Sequence, residues 1–272
     1  MKVDNALFEQ VLALAKRAGD AIMQVYAGEF SVTAKDDLTP LTEADLAVHR
    51  VIEQGLNALR PDWPVLSEEG ADVPFEVRRG WTRYWLVDPL DGTREFVKRN
   101  GEFSVNIALI DGHEAVLGVV HAPALGVTYA ARRGGGAWKW TEDEDRPMRL
   151  SARHMLQTPL HVALSRSHGS PRMQIYLDAL RAECGQVECV RMGSALKSCL
   201  VAEGAADVYP RLGLTSEWDT AAAQCVVEEA GAIMTDTCGA RMLYNAKDSL
   251  LNPEFLVFAD QGMDWAKFVP PQ

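Results

Sequence analysis

The sequence predicts an α/β fold of layered sheets with helices on their faces. Three observations carry that expectation. Two long amphipathic segments open the chain, a run of short β-like segments follows, and the second half alternates β-like with helical segments. Such an order suits sheets and helices stacked as layers around a shared core. No internal repeat, low-complexity tract or long linker interrupts it. The 272 residues suffice for one large domain or two closely packed lobes. The change of pattern falls between Leu150 and His161. It divides the chain into an N-terminal α+β lobe, 1–155, and a C-terminal α/β lobe, 156–272, that completes the site.

Each element has its own reason. Val3 to Tyr26 reads as a helix because Leu7, Val11, Leu14, Ala15, Ala18, Ile22 and Val25 recur at helical spacing. A second helix is expected from Glu43 to Leu59, with Thr42 as its N-cap and Pro61 past its end. Between them "KDDLTPLTEAD" is polar, contains proline and reads as a loop. "PVLSEE" and "RYWLVDPLDGT" are apolar runs ending in acids and read as strands. "FSVNIALI" and "EAVLGVVHA" flank Asp111-Gly112 and form a hairpin. "GVTYAARR" and "GGAWKW" are further strands, and "RRGGGAW" lacks a phosphate-loop lysine, so it reads as a turn. "TEDEDR" is a charged surface turn. Then come strand "LHVALSRS", helix "SPRMQIYLDALRAE" with Pro171 in its first turn, strand "QVECVRM", helix "SALKSCLVAEG" and strand "AADVYPRL". Helix "EWDTAAAQCVVEEAGA" and strands "AIMTD" and "EFLVFAD" complete the set.

The formal net charge of -11 excludes broad attraction to nucleic acid or to anionic membranes. An anionic substrate would need a local device, and bound cations are such a device. The five cysteines contain no C-x-x-C pair, which points to free thiols in a reducing compartment. The N-terminal segment is amphipathic and interrupted by charge, with neither a signal-peptide core nor a membrane-spanning run. A cytoplasmic protein with no integral membrane segment is expected.

The acids gather in three places: Glu68 and Glu69 in "LSEEG", Asp88 and Asp91 in "WLVDPLDGTREF", and Asp219 in "SEWDTAAAQC". Taken singly, each has an ordinary explanation. A Glu pair in a loop is usually solvated, an Asp-Gly is usually a turn, and an acid opening a helix usually caps it. Together they offer oxygen ligands for a hard cation such as Mg2+. Two metals about 3.5–4 Å apart support in-line attack on phosphate. Spacing rejects an EF-hand, because position three from Asp88 is Leu90 and glycine arrives at five. It also rejects D-x-D-x-T and with it a covalent aspartate, which leaves metal-activated water. Gly92-Thr93 could open a helix whose first N–H groups face a phosphate, although Thr93 could equally be a plain cap. No histidine pair suits zinc, and no G-x-S-x-G or G-x-x-x-x-G-K-[ST] is present.

"DPLDGT", followed by "WDTAA" and "EEAG" and preceded by "LSEE", resembles the ordered signatures of the inositol monophosphatase superfamily across nearly the whole chain. That resemblance implies an αβαβα sandwich of the fructose-bisphosphatase type and Mg2+-dependent phosphate monoester hydrolysis, commonly inhibited by Li+. "DPLDGTREFVKRNGEFSVNIALI", "LSRSHGSPR" and "GSALKSCLVAEGAADVYPR" look like the bacterial CysQ-type 3'(2'),5'-bisphosphate nucleotidase branch. The implied substrate is adenosine 3',5'-bisphosphate, a by-product of sulfate assimilation.

The resemblance also implies roles. Glu68, Asp88 and the Leu90 carbonyl would hold one Mg2+; Asp88, Asp91 and Asp219 a second; Glu68 and waters a looser third. Asp45 and Thr93 would position the attacking water, and Gly92 and Thr93 would cradle the phosphate. Arg211 stands where inositol enzymes usually carry a glutamate, and suits a second phosphate. Lys197 is a nucleotide contact by the same resemblance. Arg166, His168 and Arg172 would meet the nucleotide's other end. His168 could instead be plain surface, as could Arg211; Lys197 and Arg191 could be solvated, and Asp45 a solvated acid early in its helix. A homodimer and a peripheral association with the inner membrane stay open. So do an inositol phosphate or sugar bisphosphate as substrate, a non-catalytic binding protein and a plain structural cation site.

Overall fold

The computed structural model describes residues 3–28, 32–34, 40–70, 72–166 and 170–271. The chain opens with α1 (Asn5–Tyr26), where the Asp4 carboxylate caps the helix by accepting the Leu7 N–H at 2.7 Å. It continues through β1 (Val32–Ala34), β2 (Pro40–Thr42), α2 (Glu43–Leu59), β3 (Val65–Ser67), α3 (Phe75–Arg78), β4 (Arg83–Asp91) and α4 (Thr93–Val97). Then follow β5 (Ser104–Asp111), β6 (Glu114–Ala122), β7 (Val127–Arg132), β8 (Gly136–Thr141) and β9 (Met148–Arg149). The second half holds β10 (Leu160–Ser165), α5 (Pro171–Cys184), β11 (Val187–Met192), α6 (Leu196–Ala202), β12 (Val208–Arg211), α7 (Glu217–Glu229), β13 (Ile233–Asp236) and β14 (Phe255–Phe258).

Strands β3 to β9 lie in chain order in one sheet, with β3 parallel to β4 and the remaining pairs antiparallel. A second sheet runs β11-β10-β12-β14-β13, with β10 parallel to both neighbours and β14 antiparallel to both of its own. The expected hairpin is present, with Asp111 opposite Glu114.

Alternation along the strands decides the layers, because successive side chains leave opposite faces. In β4, Trp85 and Val87 pack with Leu14, Ala18, Val48 and Ile52 of α1 and α2. Tyr84 and Leu86 pack instead with Cys199 and Val201 of α6 and Ala222 and Val226 of α7. That same cluster includes Ala163, Tyr209, Phe255 and Val257 from the second sheet. The opposite face of the second sheet, through Val162, Leu164, Val208 and Leu256, meets Tyr176, Leu177 and Leu180 of α5 and also Trp265 and Phe268. Helix pair, sheet, helix pair, sheet, helix: the expected αβαβα sandwich is the observed one. The central layer is tight. A Cβ at Gly118 of β6 would lie 2.1 Å from the Ala222 carbonyl oxygen, so glycine there is what lets α7 touch the sheet.

One expected loop is corrected. Pro40–Thr42 is a strand, paired antiparallel with β1. The ribbon has only two strands, so both are edges, where proline's missing N–H is tolerated. Residues 35–39 of that stretch, and the Thr42 cap, lie outside what the structure describes. The short α3 and β9 are additions, since four and two residues carry no periodicity to read.

Candidate active site

Asp88 and Asp91 stand three residues apart, and on a regular strand such residues face opposite ways. A bulge removes the conflict. Asp88 opposes Asn106 and Asp91 opposes Ser104, so three steps along β4 match two along β5. The extra residue reverses the phase. Leu90 therefore packs into the core beneath α1 and α2, and Asp91 comes round to the side of Asp88, toward α6 and α7. Pro89 suits a bulge, where no ladder N–H is required. Asp88 Oδ1 accepts the Leu90 N–H at 3.0 Å, which fixes the bend.

Asp219 arrives from the first turn of α7. Its Oδ2 accepts the Ser216 N–H at 2.9 Å, so the ordinary capping explanation holds for it. The helix dipole favours an acid at that position. The same carboxylate also joins the other two: one oxygen each from Asp88, Asp91 and Asp219 lies within 4.8 Å of the rest. Glu68 begins the 3-10 turn Glu68–Gly70 directly after β3. β3 runs parallel to β4, which brings Glu68 beside Asp88.

The acids are uneasy neighbours. Burial holds Asp88 well above the usual carboxylate range, with Glu68, Asp91 and Asp219 adding to the shift. Burial pushes Asp219 up to about 8, with Asp91 the next cause. Asp91 is raised by burial against the opposing pull of Lys197, Asn106 and the Ala195 amide. Its Oδ2 accepts the Ala195 N–H at 2.6 Å and the Asn106 Nδ2 at 3.2 Å. Asn106 Oδ1 in turn accepts the Ser104 hydroxyl at 2.9 Å. Neither donor is among the residues the sequence singles out. Asn106 had a signal, as a polar residue inside an apolar strand. A backbone N–H in a turn has none.

Asp45 is buried in the first turn of α2. One turn later His49 Nδ1 lies 2.9 Å from Ser67 Oγ, so this face of α2 looks toward the Glu68 turn. Gly92 adopts φ 90°, and a Cβ there would crowd the Glu102 carbonyl oxygen at 3.2 Å and Phe103 Cα at 3.3 Å. Thr93 opens α4, and its hydroxyl donates to the Leu90 carbonyl at 3.3 Å.

The basic residues divide. Lys197 is buried, its Nζ donates to the Ser194 carbonyl and lies 5.5 Å from the Tyr209 ring centroid. Burial pulls its amine down to about 8, while Asp91 resists. Arg211, at the end of β12, donates to Ser165 Oγ at 3.0 Å and to the Leu214 carbonyl at 2.8 Å. Its charge acts on both Asp219 and Lys197. Arg166 instead forks onto Glu102, with Nε to Oε2 at 2.7 Å. Arg172 pairs with Glu254 and donates to the Pro270 carbonyl at 2.8 Å. Arg191 is exposed and donates to the Ser165 carbonyl at 3.3 Å. His168 lies outside the described residues. No helix among the described residues is long and apolar enough to cross a membrane.

Known proteins resemble this chain in sequence and in fold. The chain is 50% identical over 254 residues to the 3'(2'),5'-bisphosphate nucleotidase CysQ of Escherichia coli K12, covering 92% of this chain and 99% of that one. It is 39% identical over 267 residues to the enzyme of the same name from Aggregatibacter actinomycetemcomitans, covering 96% of each. The crystal structure of CysQ from Bacteroides thetaiotaomicron matches with a TM-score of 0.81 and 38% identity, over 94% of this chain and 98% of that one. Residues 4–261 match the model of the inositol monophosphatase family, whose enzymes are metal-dependent, typically on Mg2+. On its sandwich fold, its acidic cluster and these matches, the chain belongs to the inositol monophosphatase family.

Proposed function

We propose that this chain is a Mg2+-dependent 3'(2'),5'-bisphosphate nucleotidase that removes the 3'-phosphate of adenosine 3',5'-bisphosphate. The observation that carries the reading is the trio Asp88, Asp91 and Asp219, with oxygens within 4.8 Å of one another. Three acids of raised pKa, Asp88 buried and Asp91 and Asp219 half-buried, form a donor set of hard oxygens, which suits Mg2+. Glu68, Asp88 and the Leu90 carbonyl would hold one ion; Asp88, Asp91 and Asp219 a second; Glu68 a looser third. When bound, Mg2+ supplies positive charge for the phosphate and acidity for a water.

The residues of the chain do the rest. Asp45 and Thr93 orient the attacking water from the side of α2 and α4. Backbone groups of Gly92 and Thr93 cradle the scissile phosphate, which positions it for in-line attack. Lys197 and Arg211 face the second phosphate, where the guanidinium fork matches phosphate oxygens. The two lobes, 1–155 and 156–272, meet at this site. Support for that division comes from one sheet ending at Arg149 and the other beginning at Leu160.

The test is phosphate release from adenosine 3',5'-bisphosphate and from inositol 1-phosphate, with Mg2+, with EDTA, and with Mg2+ plus Li+. We expect Mg2+-dependent, Li+-sensitive release that favours the nucleotide. Faster turnover of the inositol ester would overturn the substrate, and no release from either ester would overturn the enzyme.

A further inference from the structure

Asp219 reaches the acidic cluster on the first turn of α7, and that turn is gripped by residues with no part in the chemistry above. Glu217 is fully buried, and its Oε2 accepts the Asn245 N–H at 2.7 Å. Asn245 holds a left-handed backbone, φ 54°. Its amide closes a reciprocal pair with Arg78: Arg78 Nη1 donates to Asn245 Oδ1 at 2.5 Å, and Asn245 Nδ2 donates to the Arg78 carbonyl at 2.6 Å. Arg78 is 2% exposed at the end of α3, and it also donates to the carbonyls of Lys247 and Asp248. From the other flank, Glu217 N–H donates to the Leu250 carbonyl at 2.9 Å. Asn252 Nδ2 donates to the Ser216 carbonyl at 2.6 Å and to Thr220 Oγ1 at 3.1 Å.

Buried charges of this kind are a poor source of stability, because removing them from water offsets most of what their attraction returns. What they supply here is direction. The network ties α3, in the first half of the chain, to the loop 244–252 and through it to the turn that carries Asp219. Asp88 and Asp91 sit on β4, which begins five residues after α3 ends. The two ends of the network therefore lead to the two sides of the cluster.

We propose that Glu217, Asn245 and Arg78 are positioning residues that preset the first turn of α7, so that Asp219 meets Asp88 and Asp91 without rearrangement when a cation binds. The inference rests on the reading of Asp219 as a metal ligand. The experiment titrates the full-length chain with Mn2+ followed by electron paramagnetic resonance, with circular dichroism confirming the fold of every variant. Asp219→Asn tests the underlying reading and should lose one Mn2+ site. Glu217→Ala should weaken Mn2+ binding about 10-fold or more, as loss of a residue supporting a ligand does, whereas Glu217→Gln should stay near wild type. Gln rescues because its amide oxygen still accepts the Asn245 N–H. If Glu217→Ala does not fold, Asn245→Gly carries the same expectation, since glycine keeps the left-handed backbone and removes only the amide. Wild-type Mn2+ affinity in a folded Glu217→Ala or Asn245→Gly protein would overturn the clamp. So would a Glu217→Gln protein as weak as Glu217→Ala. Unchanged Mn2+ stoichiometry in Asp219→Asn would instead overturn the ligand reading, and the clamp with it.

Discussion

The Ala195 amide donates to Asp91 Oδ2 at 2.6 Å, across 104 residues of chain. The Asn106 side chain donates to that same oxygen at 3.2 Å. Two donors on one oxygen orient the carboxylate as a unit, and they hold it in place whether or not it is charged.

An asparagine at this position keeps an acceptor for both donors and loses the charge. Asp91→Asn should therefore fold normally. Its Mg2+-dependent phosphate release should fall at least ~10³-fold, since a metal's share of transition-state stabilisation is several kcal/mol. Its thermal midpoint in EDTA should equal or exceed that of the wild type, because one repelling charge is gone. Activity assays and melts on the same preparation check both parts.

Asp219 has its pKa raised by burial from 3.8 to about 8. Across that window the folded state keeps a proton that the unfolded state has lost. Stability of the metal-free protein should then fall as pH rises from 3.8 toward 8, and level off above. Mg2+ binds the deprotonated carboxylates, so its stabilising effect should grow over the same range. Melts in EDTA and in Mg2+ at several pH values would show the two curves diverging with rising pH. Parallel curves would contradict the expectation.

Arg211→Met keeps an unbranched stem and removes the charged fork. A hydrogen bond to a charged partner contributes about 1.5–3 kcal/mol, so kcat/KM for adenosine 3',5'-bisphosphate should drop roughly 10–100-fold. Adenosine 3'-monophosphate lacks the second phosphate and should be turned over about as well as by the wild type. Equal losses on both substrates would assign Arg211 to the turn it holds through Ser165 and Leu214.

Gly118→Ala would set a methyl group 2.1 Å from the Ala222 carbonyl oxygen. Backbone on both sides must give way, at a cost of about 1–3 kcal/mol. A lower midpoint in urea at unchanged slope is the expected signature.

Much of this was legible beforehand, and the reasons differ by element. Helix α1 spans Asn5–Tyr26, within the Val3 to Tyr26 that its periodicity predicts, because a long amphipathic pattern leaves few alternatives. Asp88, Asp91 and Asp219 could be picked out because three acids at element ends are costly without a shared purpose. The bulge was not legible. A spacing of three residues reads as opposite faces, and only the pairing with Asn106 and Ser104 reverses it. Ala195 contributes an N–H, which every residue but proline has, so nothing in its identity announces it. Arg166 and Arg172 are nucleotide contacts only by resemblance, and nothing in the sequence announces that Glu102 and Glu254 meet them from 64 and 82 residues away.

Helix α7 is the shared wall of the molecule, packed against the first sheet through Ala222 and against the second sheet within the same core cluster. Its central residues, Ala221 to Val227, are all buried, so their amides meet solvent only when that cluster opens. Hydrogen exchange there should be among the slowest in the chain and should track global unfolding. A helix made by the second half of the sequence thus completes a pocket begun by the first. During synthesis the acids on β4 must wait for more than a hundred further residues before their partner exists. The cation capture we propose for this cluster would then be one of the last properties this chain acquires as it folds.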